Sequence, residues 1–171
     1  MSMTLYLIRH ADAQNEFESS DKNRSLTAKG RAQSEDLGMK MMTKGYLCDL
    51  ALVSDALRCR QTYENMNLES KMLVNEMLYQ GSAETYKKIL AQQDSDLSEI
   101  MIVGHNPSCA MLAIELCGQG APGDLLALRG GFGKGQLVVI HFNIKSWADI
   151  DKGKGYVSDI IHPDTLSKGA V

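Results

Sequence analysis

The sequence lacks the features that mark membrane proteins and proteins that bind nucleic acids. Its apolar runs, such as residues 137–140, fall far short of the ~20 residues needed to cross a bilayer. Arg9 and His10 interrupt the N-terminal apolar stretch before it reaches the length of a signal peptide. Lys and Arg number 18 against 21 Asp and Glu, so there is no basic excess to bind DNA, RNA or an anionic membrane. We therefore expect no membrane association and no nucleic-acid partner.

Cysteine is scarce, and its spacing excludes several kinds of site. The four cysteines form no CxxC pair and no zinc-finger spacing. None is followed six residues later by arginine, which excludes the phosphate-binding loop of cysteine-dependent phosphatases. We expect reduced, partly buried thiols in a cytoplasmic protein, with no metal and no cofactor.

Short apolar segments alternate with helical segments along a chain long enough for one core. Residues 4–8, 49–54 and 99–104 have the length and apolar character of buried strands, and helical patterns follow at 27–44 and 55–66. At 171 residues and 44% apolar content, the chain fits a single domain spanning 1–171. The alternation predicts an α/β fold, a three-layer α/β/α sandwich around a mostly parallel central sheet.

Local signals predict how several of these elements begin and end. Thr27, Asp55, Ser82 and Asn106 are each expected to cap the N-terminus of a helix. After the last of these helices, residues 124–129 and 136–142 flank a Gly-rich turn and are expected to be paired strands. A further short strand is expected near residues 156–160.

Arginine and histidine occur where the predicted strands end. Arg9 and His10 follow the first strand. Arg58 lies one turn into the helix after the second strand, and His105 follows the third. Because the carboxyl ends of parallel strands meet at one edge of a sheet, we expect these side chains to converge. Arginine donors match phosphate oxygens, and a neutral histidine can attack phosphorus, so the pattern indicates a phosphate-handling site.

Four separated segments resemble the signatures of the histidine phosphatase superfamily, which has the phosphoglycerate mutase-like fold. These are LYLIRHADA (5–13), RSLTAKG (24–30), SDALRCRQT (54–62) and IVGHNP (102–107), in the family's order. The short chain, the RSLT segment and the VGHNP form are most similar to the SixA-type phosphohistidine phosphatases. Two positions depart from the usual pattern, since Ala11 replaces a common Gly and Asp55 a common Pro.

The resemblance assigns roles to individual residues. It implies that His10 is the nucleophile and forms a phosphohistidine intermediate. Arg9 and Arg58 would clamp the phosphoryl oxygens, His105 would complete the catalytic pocket, and Arg24 is a further candidate contact. These roles require no metal.

The general acid is the open point of this interpretation. Many members of the superfamily use a carboxylic acid to protonate an alkoxide leaving group, and Glu76 and Glu84 lie in the stretch where one could sit. We retain Glu76 as the candidate acid and interpret Glu84 as a first-turn helix residue. If the acid is absent, an imidazole leaving group is favoured, because it departs more readily than an alkoxide.

The sequence therefore predicts a metal-independent phosphatase that hydrolyses phosphohistidine on a protein, such as a phosphorelay or phosphocarrier domain. One alternative is a broad phosphomonoesterase that acts on small phosphorylated substrates. The other is a non-catalytic module that binds phosphate as an adaptor.

Overall fold

A computed structural model describes residues 2–15 and 20–163, and the seven strands in this part of the chain form one sheet in the order β3-β2-β4-β1-β6-β7-β5. The strands are β1 (Met3–Arg9), β2 (Leu50–Ser54), β3 (Lys71–Asn75), β4 (Glu99–Gly104), β5 (Cys117–Gly120), β6 (Leu137–Phe142) and β7 (Gly155–Ile161). Strands β3, β2, β4 and β1 run parallel, and β6 runs antiparallel to its neighbours β1 and β7. This arrangement confirms the predicted α/β fold with a mostly parallel sheet.

Helices cover both faces of the sheet. They are α1 (Ala28–Thr43), α2 (Leu57–Asn65), α3 (Met77–Gln80), α4 (Ala83–Ala91), α5 (Ser108–Leu116) and α6 (Pro122–Arg129), with short 3-10 turns at Asp21–Asn23 and Trp147–Asp149. No helix in the described residues has the length and apolar character needed to cross a membrane.

The alternation of side chains along β1 separates two apolar cores. Leu5 and Leu7 pack with buried side chains of α4 and α5. Tyr6 and Ile8 point the other way and pack with α1 and α2. Because each face of the sheet carries its own helices, the molecule has the three layers that were predicted.

Two of the four predicted helix caps are confirmed. The Thr27 hydroxyl accepts a hydrogen bond from the Gly30 amide at 3.0 Å, and the Ser82 hydroxyl accepts one from the Thr85 amide at 3.2 Å. Gly30 also lets two segments approach each other, since a Cβ atom there would overlap the carbonyl oxygen of Asp12. The loop after β1 therefore lies directly on the first turn of α1.

The predicted cap at Asp55 is wrong, and the one at Asn106 is displaced by one residue. Helix α2 begins after Ala56 without a side-chain cap, and the Asp55 carboxylate pairs with Lys22 instead. Helix α5 begins after Pro107, but Oδ1 of Asn106 still accepts from the Ala110 amide in its first turn at 3.3 Å. The side-chain amide of Asn106 donates to the carbonyl of Phe132 at 2.9 Å, which ties the start of α5 to the loop after α6.

The segment 124–129 is helical, so the predicted strand there is wrong. Pro122 lies in the first turn of α6 and Asp124 follows it, which is a favourable helix start. Leucine and alanine then continue the helix because both are strong helix formers. Strand β6 forms as predicted, but its partners are β1 and β7.

Candidate active site

A polar cavity of about 340 Å³ lies where β1, β2 and β4 end. Arg9 is the last residue of β1, His10 follows it, and His105 directly follows β4. Among the described residues, the cavity is lined by Arg9, His10, Ala13, Asp21, Arg24, Arg58, Tyr79, Gln80, His105, Asn106 and Lys134. The structure thus brings together five of the six residues that sequence nominated, and Glu76 is the exception.

Main-chain contacts fix His10 at the end of β1. Its amide donates to the carbonyl of Gly104 at 3.0 Å, and its Nδ1 lies 2.8 Å from the carbonyl oxygen of Ala11. Because a carbonyl can only accept, Nδ1 carries the proton and Nε2 keeps its lone pair. Burial, reinforced by the nearby charge of Arg58, lowers the pKa of His10 from 6.5 to about 3. His10 is therefore neutral at pH 7, with Nε2 able to act as a nucleophile.

His105 faces His10 across the cavity. The two ring centroids are 5.4 Å apart, and the planes are inclined by 57°. Nε2 of His105 lies 2.8 Å from the hydroxyl of Ser54, the last residue of β2, while Nδ1 lies 3.4 Å from Nη2 of Arg58. Burial, followed by the charge of Arg58, lowers the pKa of His105 to about 4. The second imidazole is therefore also neutral at pH 7.

Two of the arginines that line the cavity carry buried donors without partners among the described residues. Nη1 of Arg9 donates to the carbonyl of Phe132 at 2.9 Å, and Nη1 of Arg58 donates to the carbonyl of Asp21 at 2.8 Å. The Nε atom of each guanidinium is buried and finds no hydrogen-bond partner among the residues that the structure describes. A buried charged donor without a partner is costly, so the arrangement is suited to receive an anion.

Asp21 is the one carboxylate among the described lining residues. Its Oδ1 accepts from Nε and Nη2 of Arg24 at 3.0 and 2.9 Å. Its Oδ2 accepts from Nη2 of Arg58 at 3.1 Å and from the Tyr79 hydroxyl. The hydrogen bond from Tyr79, followed by those of the two arginines, holds the pKa of Asp21 far below its usual value. An acid that stays ionised in this way has no proton to give to a leaving group.

Helix α2 holds the loops on both sides of the cavity. The side-chain carbonyl of Gln61 accepts from the Leu26 amide at 2.7 Å, and the hydroxyl of Thr62 accepts from the Ala11 amide at 3.0 Å. These two residues belong to the SDALRCRQT segment, and their function in this structure is to position backbone.

The two candidate acids lie outside the cavity. Glu76 is exposed at the start of α3 and makes no side-chain capping bond. Glu84 is exposed in the first turn of α4 and pairs with Lys87 at 3.2 Å, as expected for a first-turn helix residue. The catalytic role of Glu76 stays a prediction.

Sequence reasoning missed Asp21 and Tyr79. Asp21 stands three residues before Arg24 in a polar loop, a spacing that favours an ion pair but does not reveal the cavity. Tyr79 belongs to a four-residue helix, α3, that carries no periodic signal. Its ring edge contacts the ring of His105, with centroids 5.6 Å apart.

Known proteins share these motifs and this fold. The family model of the histidine phosphatase superfamily (branch 1) matches residues 5–79. The structure of a candidate phosphohistidine phosphatase SixA from Nakamurella multipartitia matches with a TM-score of 0.83 and 26% identity, over 95% of this chain and 97% of that one. The chain is therefore similar to the histidine phosphatase superfamily over residues 5–79, and to a SixA candidate over nearly its whole length. A second SixA candidate, from Agrobacterium tumefaciens, matches with a TM-score of 0.77 and 27% identity, over 94% and 98% of the two chains.

Two further proteins extend the comparison. A candidate alpha-ribazole-5'-P phosphatase from Escherichia coli shares the fold, with a TM-score of 0.66 and 17% identity over 95% of this chain and 97% of that one. An uncharacterised protein of Mycobacterium leprae is 26% identical over 61% of this chain, and the match spans 65% of that relative, less than two thirds of its length. Together the relatives support a phosphatase of the histidine phosphatase fold.

Proposed function

We propose that the protein hydrolyses phosphohistidine on a protein substrate, without a metal, through a phosphorylated His10. The observation that carries this proposal is the state of the one carboxylate described in the cavity. Asp21 accepts four donors from Arg24, Arg58 and Tyr79 and stays ionised. Among the described residues, the cavity therefore holds a nucleophile and donors for an anion but no protonated acid, which suits a leaving group that departs without a proton from the enzyme.

In the first step, the lone pair on Nε2 of His10 attacks phosphorus while the phosphoryl oxygens bind the donors of Arg9 and Arg58. The substrate enters with its other ring nitrogen protonated, so when its P–N bond breaks the electron pair returns to nitrogen and the substrate imidazole leaves as a neutral group. Because one P–N bond replaces another of the same kind, the transfer needs no large stabilisation of the leaving group. The guanidinium groups stabilise the charge on the phosphoryl oxygens.

The hydrogen bond of Nδ1 to Ala11 also serves the second step. With Nδ1 protonated and Nε2 phosphorylated, the ring of His10 is cationic. Attack of water on phosphorus then breaks the second P–N bond, and the imidazole leaves as a neutral group. The protons of the water remain on the phosphate, so the step balances as dihydrogen phosphate and free enzyme without a further proton donor.

The test is a parallel assay of a phosphohistidine phosphocarrier protein, phosphoramidate and an aryl phosphate, each with EDTA present. We expect turnover of the phosphohistidine protein and of phosphoramidate to exceed that of the aryl phosphate, and EDTA to have no effect. Rapid alkaline denaturation followed by mass spectrometry should detect phosphate on His10, because phosphohistidine survives in base.

The alternatives give different results in this assay. A preference for the aryl phosphate would favour a small-molecule phosphomonoesterase. Binding of phosphate without turnover of any substrate would favour an adaptor. A requirement for Mg²⁺ would contradict the mechanism. The protein partner and the cytoplasmic location remain part of the proposal, and the four free cysteines are compatible with a reducing compartment.

A further inference from the structure

The carboxylate of Asp21 occupies donors that an anionic ligand would otherwise use. Nη1 of Arg58 donates to the main-chain carbonyl of Asp21, and Nη2 donates to its carboxylate. Nε and Nη2 of Arg24 donate to the same carboxylate. Of these two guanidinium groups, only that of Arg58 has a buried donor without a partner among the described residues, its Nε atom. A negative charge of the protein thus binds the same guanidinium groups as the phosphoryl group is expected to bind.

The balance of charge in the cavity shows why the pairing of Asp21 with the two arginines affects anion binding. The described lining carries four positive side chains, Arg9, Arg24, Arg58 and Lys134, and only Asp21 as a negative one. Lys134 is itself paired with Asp12 at 3.0 Å. Removing the charge of Asp21 would leave Arg24 and Arg58 uncompensated beside the position of the phosphate, and the attraction for a dianion would increase.

We propose that Asp21 is a positioning residue that acts as an internal counter-anion, holding Arg58 and Arg24 in place while limiting how tightly the cavity retains inorganic phosphate. This inference rests on the proposed function, in which phosphate is the last product to leave. A cavity with every guanidinium free would bind the product more strongly and release it more slowly. Asp21 is ionised at pH 7, so its charge is present throughout the reaction.

A chemically similar carboxylate elsewhere in the molecule provides a matched control. Asp159 in β7 accepts from Nζ of Lys44 and from the hydroxyl of Tyr46, both at 2.8 Å. Lys44 follows the last residue of α1, so this cluster lies a helix length of about 24 Å from the cavity-side end of that helix. Asp159→Asn therefore removes the same charge from a similar cluster without touching the cavity.

The experiment measures binding of inorganic phosphate by isothermal titration calorimetry to the wild-type protein, Asp21→Asn, Asp21→Ser and Asp159→Asn. Both variants of Asp21 remove the charge and keep an oxygen that can accept a hydrogen bond. We expect the dissociation constant to fall about tenfold in both, and to stay within about twofold of wild type in Asp159→Asn. The inhibition constant of phosphate during turnover should fall in the same proportion.

The direction in which the dissociation constant of phosphate changes separates this role from a merely structural one. If Asp21 only shaped the pocket, its variants would bind phosphate more weakly, and that result, or an unchanged dissociation constant, overturns the inference. Since the side chain of Asp21 is 34% exposed, we expect the variants to fold, which the melting temperature verifies. Phosphate binding with no turnover of any substrate would refute the proposed function alone. Failure of every variant and the wild type to bind phosphate would refute both.

Discussion

Two cavities in the described part of the chain lie at opposite ends of the sheet, and the smaller of these two is the candidate active site. The second cavity, of about 500 Å³, lies where β2 and β3 begin. Its described lining is Met42, Tyr46, Leu47, Cys48, Asp49, Asn67, Leu68, Glu69 and Ser70. The candidate site occupies about 340 Å³ where the parallel strands end. The comparison teaches that volume does not distinguish the candidate site, whereas cationic side chains in the lining with buried, unpartnered Nε donors do.

Charge distinguishes the two ends. The described lining of the second cavity has two acidic residues, Asp49 and Glu69, and no cationic one. The candidate site has a cationic excess, two neutral imidazoles and two buried Nε donors without described partners. Topology accounts for part of this difference, because residues that follow parallel strands gather at one edge of the sheet.

The largest expected effect is at His10. Replacing His10 by Asn should lower the rate of phosphohistidine hydrolysis about 1,000-fold or more, because the nucleophile is lost. Phosphate release is the measurement. Met42→Gln, in the second cavity, and His162→Asn, at an exposed histidine, should both retain wild-type rates. A large loss of hydrolysis rate in Met42→Gln would show that the second cavity also contributes to the reaction.

Arg58→Lys should have the next largest effect. The guanidinium of Arg58 contacts Asp21 through its two Nη atoms and keeps Nε available for the ligand. Lysine has the same charge but lacks this planar set of donors, so kcat/KM should fall about 100-fold. Arg129→Lys, at the end of α6, is the matched control and should leave kcat/KM unchanged. Equal activity of Arg58→Lys and the wild type would show that a point charge is sufficient at this position.

Most of the pH dependence of stability should belong to the candidate site, although burial also lowers the pKa of His141 in β6. His10 and His105 have folded pKa values of about 3 and about 4, below the usual 6.5 of an unfolded chain. Between these limits the unfolded chain binds more protons, so the stabilisation is complete above pH 6.5 and is lost as the pH falls. From pH 7 to pH 5 we expect a loss of about 2 kcal/mol per histidine.

Urea unfolding at the two pH values tests this expectation. The double variant His10→Gln/His105→Gln should show a clearly smaller difference in unfolding free energy between pH 7 and pH 5. His162→Asn should keep the wild-type difference, because that ring is exposed. An unaltered pH dependence in the double variant would mean that the two imidazoles do not control acid stability.

The smallest effect is expected at Glu76, which lies outside both described linings. Glu76→Gln should leave the turnover of a phosphohistidine protein within about twofold of wild type, because an imidazole leaving group needs no acid. Glu84→Gln is the control, since Glu84 is also exposed and also outside the cavities. A strong and selective loss in Glu76→Gln would identify Glu76 as the acid and favour a phosphomonoester substrate.

Sequence alone predicted the positions with strong local patterns. Strand β1 and helix α1 follow from apolar runs and a capping residue, and the location of Arg9, His10 and His105 follows from the strand ends. The wrong cap has a tertiary cause. Asp55 was assigned to a helix end from a local signal, but its ion pair with Lys22 competes with that signal.

Helix α6 and residue Asp21 show two further limits of local patterns. In residues 124–129, high helix propensity and a Pro at the helix start outweighed the resemblance to an apolar strand. Asp21 gains its importance from Tyr79 and Arg58, which lie far along the chain. The sequence of a polar loop shows its net charge but does not show which distant side chains its charged groups will contact.

The sequence by itself determined the α/β alternation, the strand ends where arginine and histidine cluster, and the family signatures. Only the tertiary structure decided the tautomer of His10, the neutral state of both imidazoles and the ionised state of Asp21. The physical reason is that a protonation state depends on burial and on charges within a few ångströms, and these are set by contacts between distant segments. Residue identity supplies the reactive groups, whereas packing determines which of them carry a proton.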